Sequence, residues 1–333
     1  MKKIRDSRFE LIRIISMIFI IMAHYNLYGN WSGNIIHNFK IELFRPWGQV
    51  GVCLFVMITS YFMSNKDTDL KLSFSRNKKL WIKTIYYSWL ILILTFVFNP
   101  KLLGLKQIIL AIFPVISGEY WFITSYIILI FLLPFLNLMV KKSDKSELQK
   151  YIGIIIVATD IMPNIQKFNV PLGGTMSVGA MLAPYLVAAY IRKYNFKLNN
   201  LKNIFIIMVG VLLEYLSIFI MSKHSNDPAK FSRGLLPLVI GTGIFLLFVN
   251  CKPFHSKTIN WLASGVLASY LITEHPLFRY TFWDDILNVS KFQNPVWLFV
   301  LMGLIIALIS VILGSVIDHI YQWGYKKIIL RRI

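Results

Sequence analysis

The chain has 333 residues, 56% of them hydrophobic and only 15% charged, with a mean hydropathy of +0.62. Repeated apolar runs long enough to cross a bilayer exclude an ordinary water-soluble domain. The net charge of +20 lies between those runs rather than on one soluble surface, so it reads as membrane topology and not as nucleic-acid binding.

The opening stretch "MKKIRDSRFELIRIISMIFIIMAHY" has the charged and apolar regions of a signal peptide. No small-x-small cleavage site follows, and further apolar runs do, so it is expected to remain as a first helix. Apolar segments then follow at 47–64, 81–98, 121–140, 150–163, 177–192, 203–222, 234–250, 259–278 and 296–318, after a first one at 9–29. The segments at 150–163 and 177–192 are short and flank "PNIQKFNVPLGGT", whose prolines and glycines break helices. The expected fold is an all-α polytopic membrane protein of about ten transmembrane helices, both termini cytoplasmic, with residues 1–333 forming one membrane domain.

Ten spans place both termini on one side, and lysine and arginine can test that arrangement. The segments sharing the N-terminal side hold more than twice as many of them as the opposite side, including "KKIRDSR", "SRNKKLWIK", "KKSDKSELQK", "RKYNFK" and "KKIILRR". Such clusters sit against anionic headgroups of the lipid bilayer by default. Cys53 and Cys251 have no CxxC or metal-ligand spacing around them, so neither a disulfide framework nor a metal site is expected.

Arg13 and His24 are the unusual residues of the first segment. Eleven residues of helix make three turns plus about 20°, so the two side chains share a face about 16 Å apart along the axis. Each has an ordinary explanation alone: snorkelling for the arginine, an inter-helix hydrogen bond for the histidine. Ionisable groups deep in hydrocarbon usually face a bundle interior or a watery cavity, and two on one stripe point to a site.

Arginine, ten intervening residues and histidine in a first helix resembles the membrane-bound acyltransferase type 3 family. "GVCLFVMITSYFM" is similar to that family's glycine-led second helix, "EYWFITSYIILIFLLPFLN" to its Trp-Phe fourth helix, and "ASYLITEHPLF" to its late helix with a His-Pro pair. There are departures: Cys53 stands where many members are acidic, Tyr61 replaces the usual glycine, and Glu119 takes a place where members often have histidine. The basic loop after the second helix is mainly lysine here, with Lys78, Lys79 and Lys83 following Arg76, and lysine lacks the bidentate fork of arginine.

The resemblance implies an integral membrane O-acyltransferase moving an acyl group, acetyl above all, from cytosolic acyl-CoA to a hydroxyl of a cell-surface or lipid-linked polysaccharide. It implies no tightly bound cofactor, a multi-pass location in a bacterial cell membrane, and polysaccharide-assembly proteins as candidate partners. His24 would act as general base, or carry a transient acyl group, with Arg13 as the second catalytic candidate on the same stripe, nearer the cytoplasmic mouth. Arg13, Arg76, Lys78, Lys79 and Lys83 would hold the donor phosphates. Glu119, Trp121, Glu274 and His275 are candidates for acceptor contact, although aromatics near the membrane surface commonly serve as anchors and Glu274 and His275 could equally be solvated. The same reading places Trp31, Trp47, Trp283 and Trp297 near the interface, as anchors or sugar platforms, and leaves the roles of Asp160 and Glu214 open.

Two other functions fit ten helices around a polar cavity: a transporter or flippase for a lipid-linked glycan, and a scaffold without chemistry. Acyl transfer from labelled acetyl-CoA separates the first reading from both.

Overall fold

The computed structural model describes residues 5–31, 40–165, 177–224 and 228–330. Among the described residues every regular element is helical. The helices are α1 (Ser7–Tyr28), α2 (Arg45–Met63), α3 (Leu70–Phe98), α4 (Leu105–Ile112), α5 (Trp121–Lys142), α6 (Lys145–Ile156), α7 (Met162–Ile165), α8 (Gly179–Lys193), α9 (Asn200–His224), α10 (Leu235–Asn250), α11 (Lys257–Gly265), α12 (Leu267–Thr273) and α13 (Val296–Leu330).

Each predicted apolar segment carries helix, but among the described residues six helices are long and apolar enough to cross a membrane. These are Ser7–Tyr28, Glu42–Met63, Leu70–Phe98, Trp121–Lys142, Asn200–His224 and Val296–Tyr325. The apolar α10 has 16 residues, about 24 Å at 1.5 Å per residue, against a hydrocarbon core of about 30 Å. The segment predicted at 259–278 is not one helix. It splits into α11 and α12 at Val266, because the chain at Gly265 presses on α13 so closely that a Cβ there would lie 2.7 Å from Ser315 Cα. The segment predicted at 150–163 begins earlier, at a capping box of Asp144 and Glu147, and passes through a π-helical turn at Val157–Ile161. The glycine-rich break expected after it falls largely on residues 166–176, outside the described residues.

The third segment also starts earlier than predicted. Asp69 accepts a hydrogen bond from Leu72 N at 2.7 Å and caps α3, so the basic stretch read as a loop is the first third of a 29-residue helix.

Burial sorts the helices. The most apolar stretches of α1 and α2 are 61% and 67% buried, whereas that of α9 is 17% buried, which puts α1 and α2 inside the bundle and turns α9 toward lipid. Helix α1 packs on α2, α10, α11, α12 and α13, and its Met17, Ile21 and Tyr25 belong to the main apolar core. Close approach of α1 and α2 depends on Gly48 and Gly51, three residues apart on one face of α2. A Cβ at Gly48 would lie 2.6 Å from Ala23 Cβ, and one at Gly51 2.5 Å from Ser16 O. Side chains there would push α1 outward and displace everything at its C-terminal half.

Candidate active site

His24 is on the penultimate turn of α1, and Glu274 follows the last residue of α12. Pro276 cannot extend that helix, because it has no N–H and restricts the residue before it, so α12 stops with Glu274 turned into the bundle. His24 Nε2 lies 3.2 Å from Glu274 Oε2, with both residues buried. The other carboxylate oxygen accepts a 2.8 Å hydrogen bond from Tyr28 Oη and has Arg279 Nη1 3.9 Å away. Arg279 also covers the Tyr28 ring, its guanidinium carbon 5.0 Å from the centroid.

The pair is close but not aligned: Glu274 Oε2 and His24 Nδ1 have no hydrogen-bond partner, and neither does Tyr270 Oη, whose ring centroid is 5.9 Å from that of His24. An unpaired buried polar atom costs about 1–3 kcal/mol. Three of them in one place are poor economy for stability and suit a reaction centre, where hydrogen bonds tighten only once substrate is bound.

A cavity of about 250 Å³ opens beside this group, lined by His24, Tyr270, Trp121, Gln49, Arg45 and Arg233 among others. Phe122 stands in its wall and also in the wall of a second cavity of about 350 Å³, which Arg76, Asn77 and Tyr126 line. Asn77 donates to Ile127 O at 3.0 Å while its Oδ1, buried, has no partner. Tyr126, bonded to Thr59 at 2.8 Å, is within electrostatic reach of both Arg13 and Arg76. Arg76, in the wall of the second cavity, and Arg13 therefore share the electrostatic neighbourhood of Tyr126.

Arg13 is not among the residues lining the His24 cavity. Its Nη1 donates to Glu10 Oε2 at 2.6 Å, one turn earlier on α1, so its charge is partly neutralised by a carboxylate that the sequence reading passed over.

The basic residues of α3 do not converge as expected of a donor-binding loop. On a helix they fan out at 100° per residue. Arg76 reaches the second cavity and contacts Met63 Sδ, and Lys78 and Lys79 are exposed. Lys83 Nζ is 2.7 Å from Asp318 Oδ1 on α13, a carboxylate that also accepts from Tyr87 Oη at 3.0 Å and Gln322 at 2.6 Å. Asp318 is fully buried, so Lys83 ties α3 to α13.

The acceptor candidates also separate. Trp121 lines the His24 cavity, and Glu119, half-buried in the turn before α5, lies within electrostatic range of Glu274 and Arg279. Glu274 and His275 are 2% and 1% exposed, so the expectation of a solvated pair is corrected. His275 is satisfied within the fold: Leu277 N–H donates to its Nδ1 at 3.1 Å, which leaves the proton on Nε2, 3.2 Å from Ser88 Oγ. The Ser88 hydroxyl in turn donates to Ala111 O at 2.7 Å. Trp31 and Trp283 are corrected as well: both are buried in the core, whereas Trp297 is widely exposed. Trp47 donates to Tyr215 Oη at 2.9 Å.

Several residues of the site carried no sequence signal read as functional: Glu10, Tyr28, Arg45, Asn77, Tyr126, Arg233, Tyr270 and Arg279. Tyr270 and Glu274 are four residues apart in "ASYLITEHPLF", and that spacing on a helix was the available clue.

The fold is that of a multi-pass membrane protein that holds a histidine and a carboxylate side by side in its interior. A family model described as an acyltransferase domain matches residues 6–315, and the chain belongs to this acyltransferase type 3 family. It is thus a multi-pass membrane acyltransferase. The comparisons with curated proteins and with solved structures returned no match.

Proposed function

We propose that this acyltransferase moves an acyl group, acetyl above all, from cytosolic acyl-CoA to a hydroxyl of a cell-surface or lipid-linked polysaccharide. Its setting is a bacterial cell membrane, with ten spans and both termini cytoplasmic. The observation that carries the reading is the placement of His24 against Glu274 at the edge of a cavity.

In this mechanism bound substrate draws the pair into line, Glu274 then accepts the Nε2–H of His24, and the Nδ1 lone pair is left as the base. Tyr28 and Arg279 keep the carboxylate in place. Nδ1 takes the proton of the acceptor hydroxyl as its oxygen attacks the thioester carbonyl. The new C–O bond replaces the C–S bond, and the departing CoA thiolate recovers the proton from the imidazolium. Arg13 and Arg76 are suited to the donor phosphates, and the Asn77 Oδ1 acceptor to an amide N–H of the pantetheine arm passing Phe122. Trp121 offers an aromatic face to a sugar in the His24 cavity.

Purified protein in liposomes, given radiolabelled acetyl-CoA and candidate glycans, tests this. Wild type should transfer label, while His24→Ala and Arg13→Ala should lose transfer and remain folded. Glycan translocation by wild-type protein without label transfer would overturn the proposal in favour of a flippase. Comparing the acyl content of the surface polysaccharide with and without the gene identifies the acceptor.

A further inference from the structure

Tyr270 stands on α12, one turn before Glu274, and lines the cavity beside His24. It is 2% exposed, and its hydroxyl has no hydrogen-bond partner among the described residues. Ser232, the other hydroxyl among the described residues lining that cavity, already donates to Glu214. Tyr270 has no task in the proton transfer described for His24, although an unpaired buried hydroxyl costs stability in the resting protein.

Helix α5 begins at the same place. Trp121 and Phe122, its first two residues, line the cavity, and no side chain caps the helix. The Thr124 N–H bonds Tyr120 O at 3.0 Å, so the amides of Trp121 and Phe122 precede the helix's own ladder. A helix of 22 residues carries partial positive charge at that end. Tyr120 Oη donates to Leu271 O at 2.8 Å, which fixes the start of α5 against α12 next to Tyr270. The Phe122 N–H acts on the Tyr270 oxygen, short of hydrogen-bond geometry. That contact uses the oxygen as acceptor and leaves the O–H proton free to donate. Glu119, the carboxylate in the turn before α5, is not among the described residues lining the cavity.

Acyl transfer at His24 needs what these groups supply. As the acceptor oxygen attacks, the C=O electrons move onto the carbonyl oxygen, and a donor already in place stabilises the charge that develops there. The ring centroids of His24 and Tyr270 are 5.9 Å apart, which leaves room for a reacting carbonyl about 3 Å from groups on both.

We propose that Tyr270 is a further catalytic residue: its hydroxyl donates a hydrogen bond to the thioester carbonyl oxygen and holds the charge that oxygen gains, with the N-terminus of α5 turned to the same spot. The inference rests on the acyl-transfer function above and adds the group that meets the carbonyl. Tyr270 keeps its proton throughout. The acceptor proton goes to His24 Nδ1 as the C–O bond forms, the carbonyl re-forms as the C–S bond breaks, and the thiolate takes the proton back from the imidazolium.

The test uses full-length protein in liposomes, with acetyl-CoA as donor and surface polysaccharide from cells lacking the gene as acceptor. Tyr270→Phe should lower kcat about 10²–10³-fold, the usual loss of one oxyanion donor, with both KM values little changed. Its thermal transition should not fall, because the deleted hydroxyl has no partner in the fold. A second reading comes from acetyl-dithio-CoA, whose carbonyl oxygen is replaced by sulfur, a weaker hydrogen-bond acceptor. That sulfur should slow wild type about tenfold or more beyond the ratio seen in uncatalysed hydrolysis, and should slow Tyr270→Phe by clearly less. A kcat for Tyr270→Phe within about threefold of wild type overturns the inference and leaves acyl transfer intact. So does equal slowing of the two proteins by sulfur, or a thermal transition that falls along with the activity. Where the variant fails to fold, the wild-type sulfur ratio decides, and a ratio equal to the uncatalysed one overturns the inference. Absence of transfer by wild type removes the function itself, and the inference with it.

Discussion

His24 on α1 and Glu274 at the end of α12 meet at 3.2 Å, although they come from opposite ends of the chain. A carboxylate that fixes one nitrogen of an imidazole decides which nitrogen is left to act as base, and it stabilises the imidazolium that forms during transfer.

That relation sets the first expectation. Glu274→Gln should keep the protein folded and lower kcat for acyl transfer, with the KM for acyl-CoA little changed. His24→Ala should cost about 10²–10⁴-fold, the range of general-base catalysis. Because the two act as a unit, the double variant should be hardly worse than His24→Ala alone. Additive losses in steady-state kinetics would separate the residues.

The cations of α3 should divide by position. Arg76→Ala should raise the KM for acyl-CoA about tenfold, as loss of one charge-assisted hydrogen bond would. Lys78→Ala and Lys79→Ala, on exposed parts of the same helix, should change it less than about threefold. Equal effects at all three positions would mean a diffuse basic surface instead of a defined phosphate contact.

Lys83 should behave as a structural residue. Removing it leaves Asp318 buried without its cation, which typically costs about 3–5 kcal/mol. Lys83→Met should therefore lower the thermal transition in detergent, and the paired change Lys83→Met with Asp318→Leu should recover most of the loss. A stable Lys83→Met protein with weakened donor binding would return the residue to the donor site.

At the chain's first cap a pH dependence is expected. Burial works to raise the Asp6 carboxyl, but hydrogen bonds from the Arg8 side chain and backbone, with the Arg8 charge, outweigh it and hold it below the usual carboxylate range. A depressed carboxyl stabilises the fold above the pKa it has in the unfolded chain, and that contribution fades as pH falls through its folded value. Asp6→Ala should lower stability by about 0.5–2 kcal/mol at neutral pH, the usual effect of losing an N-cap. The gap between the two proteins in thermal melts should close in acid.

Much of the architecture was legible because it is local. Apolar run lengths located helix at each of the ten segments, and the caps at Asp69 and Asp144 follow known side-chain preferences. Where the reading failed, distant contacts had intervened. The break at Val266 reflects pressure from α13, and Lys83 was claimed by a carboxylate on that same helix. Trp31 and Trp283 look like interfacial anchors by composition but are buried, because the chain folds back over them.

By itself, the sequence determined a helical membrane protein with a charged residue and an imidazole on one stripe of its first helix, since hydropathy and helical period are properties of neighbouring residues. Only the tertiary structure decided that Glu274 is the partner of His24, that Glu10 shares the charge of Arg13, and that His275 is held by Ser88. The reason is physical: which buried ionisable groups meet depends on how α1, α3, α12 and α13 pack, and no spacing along the chain encodes that distance.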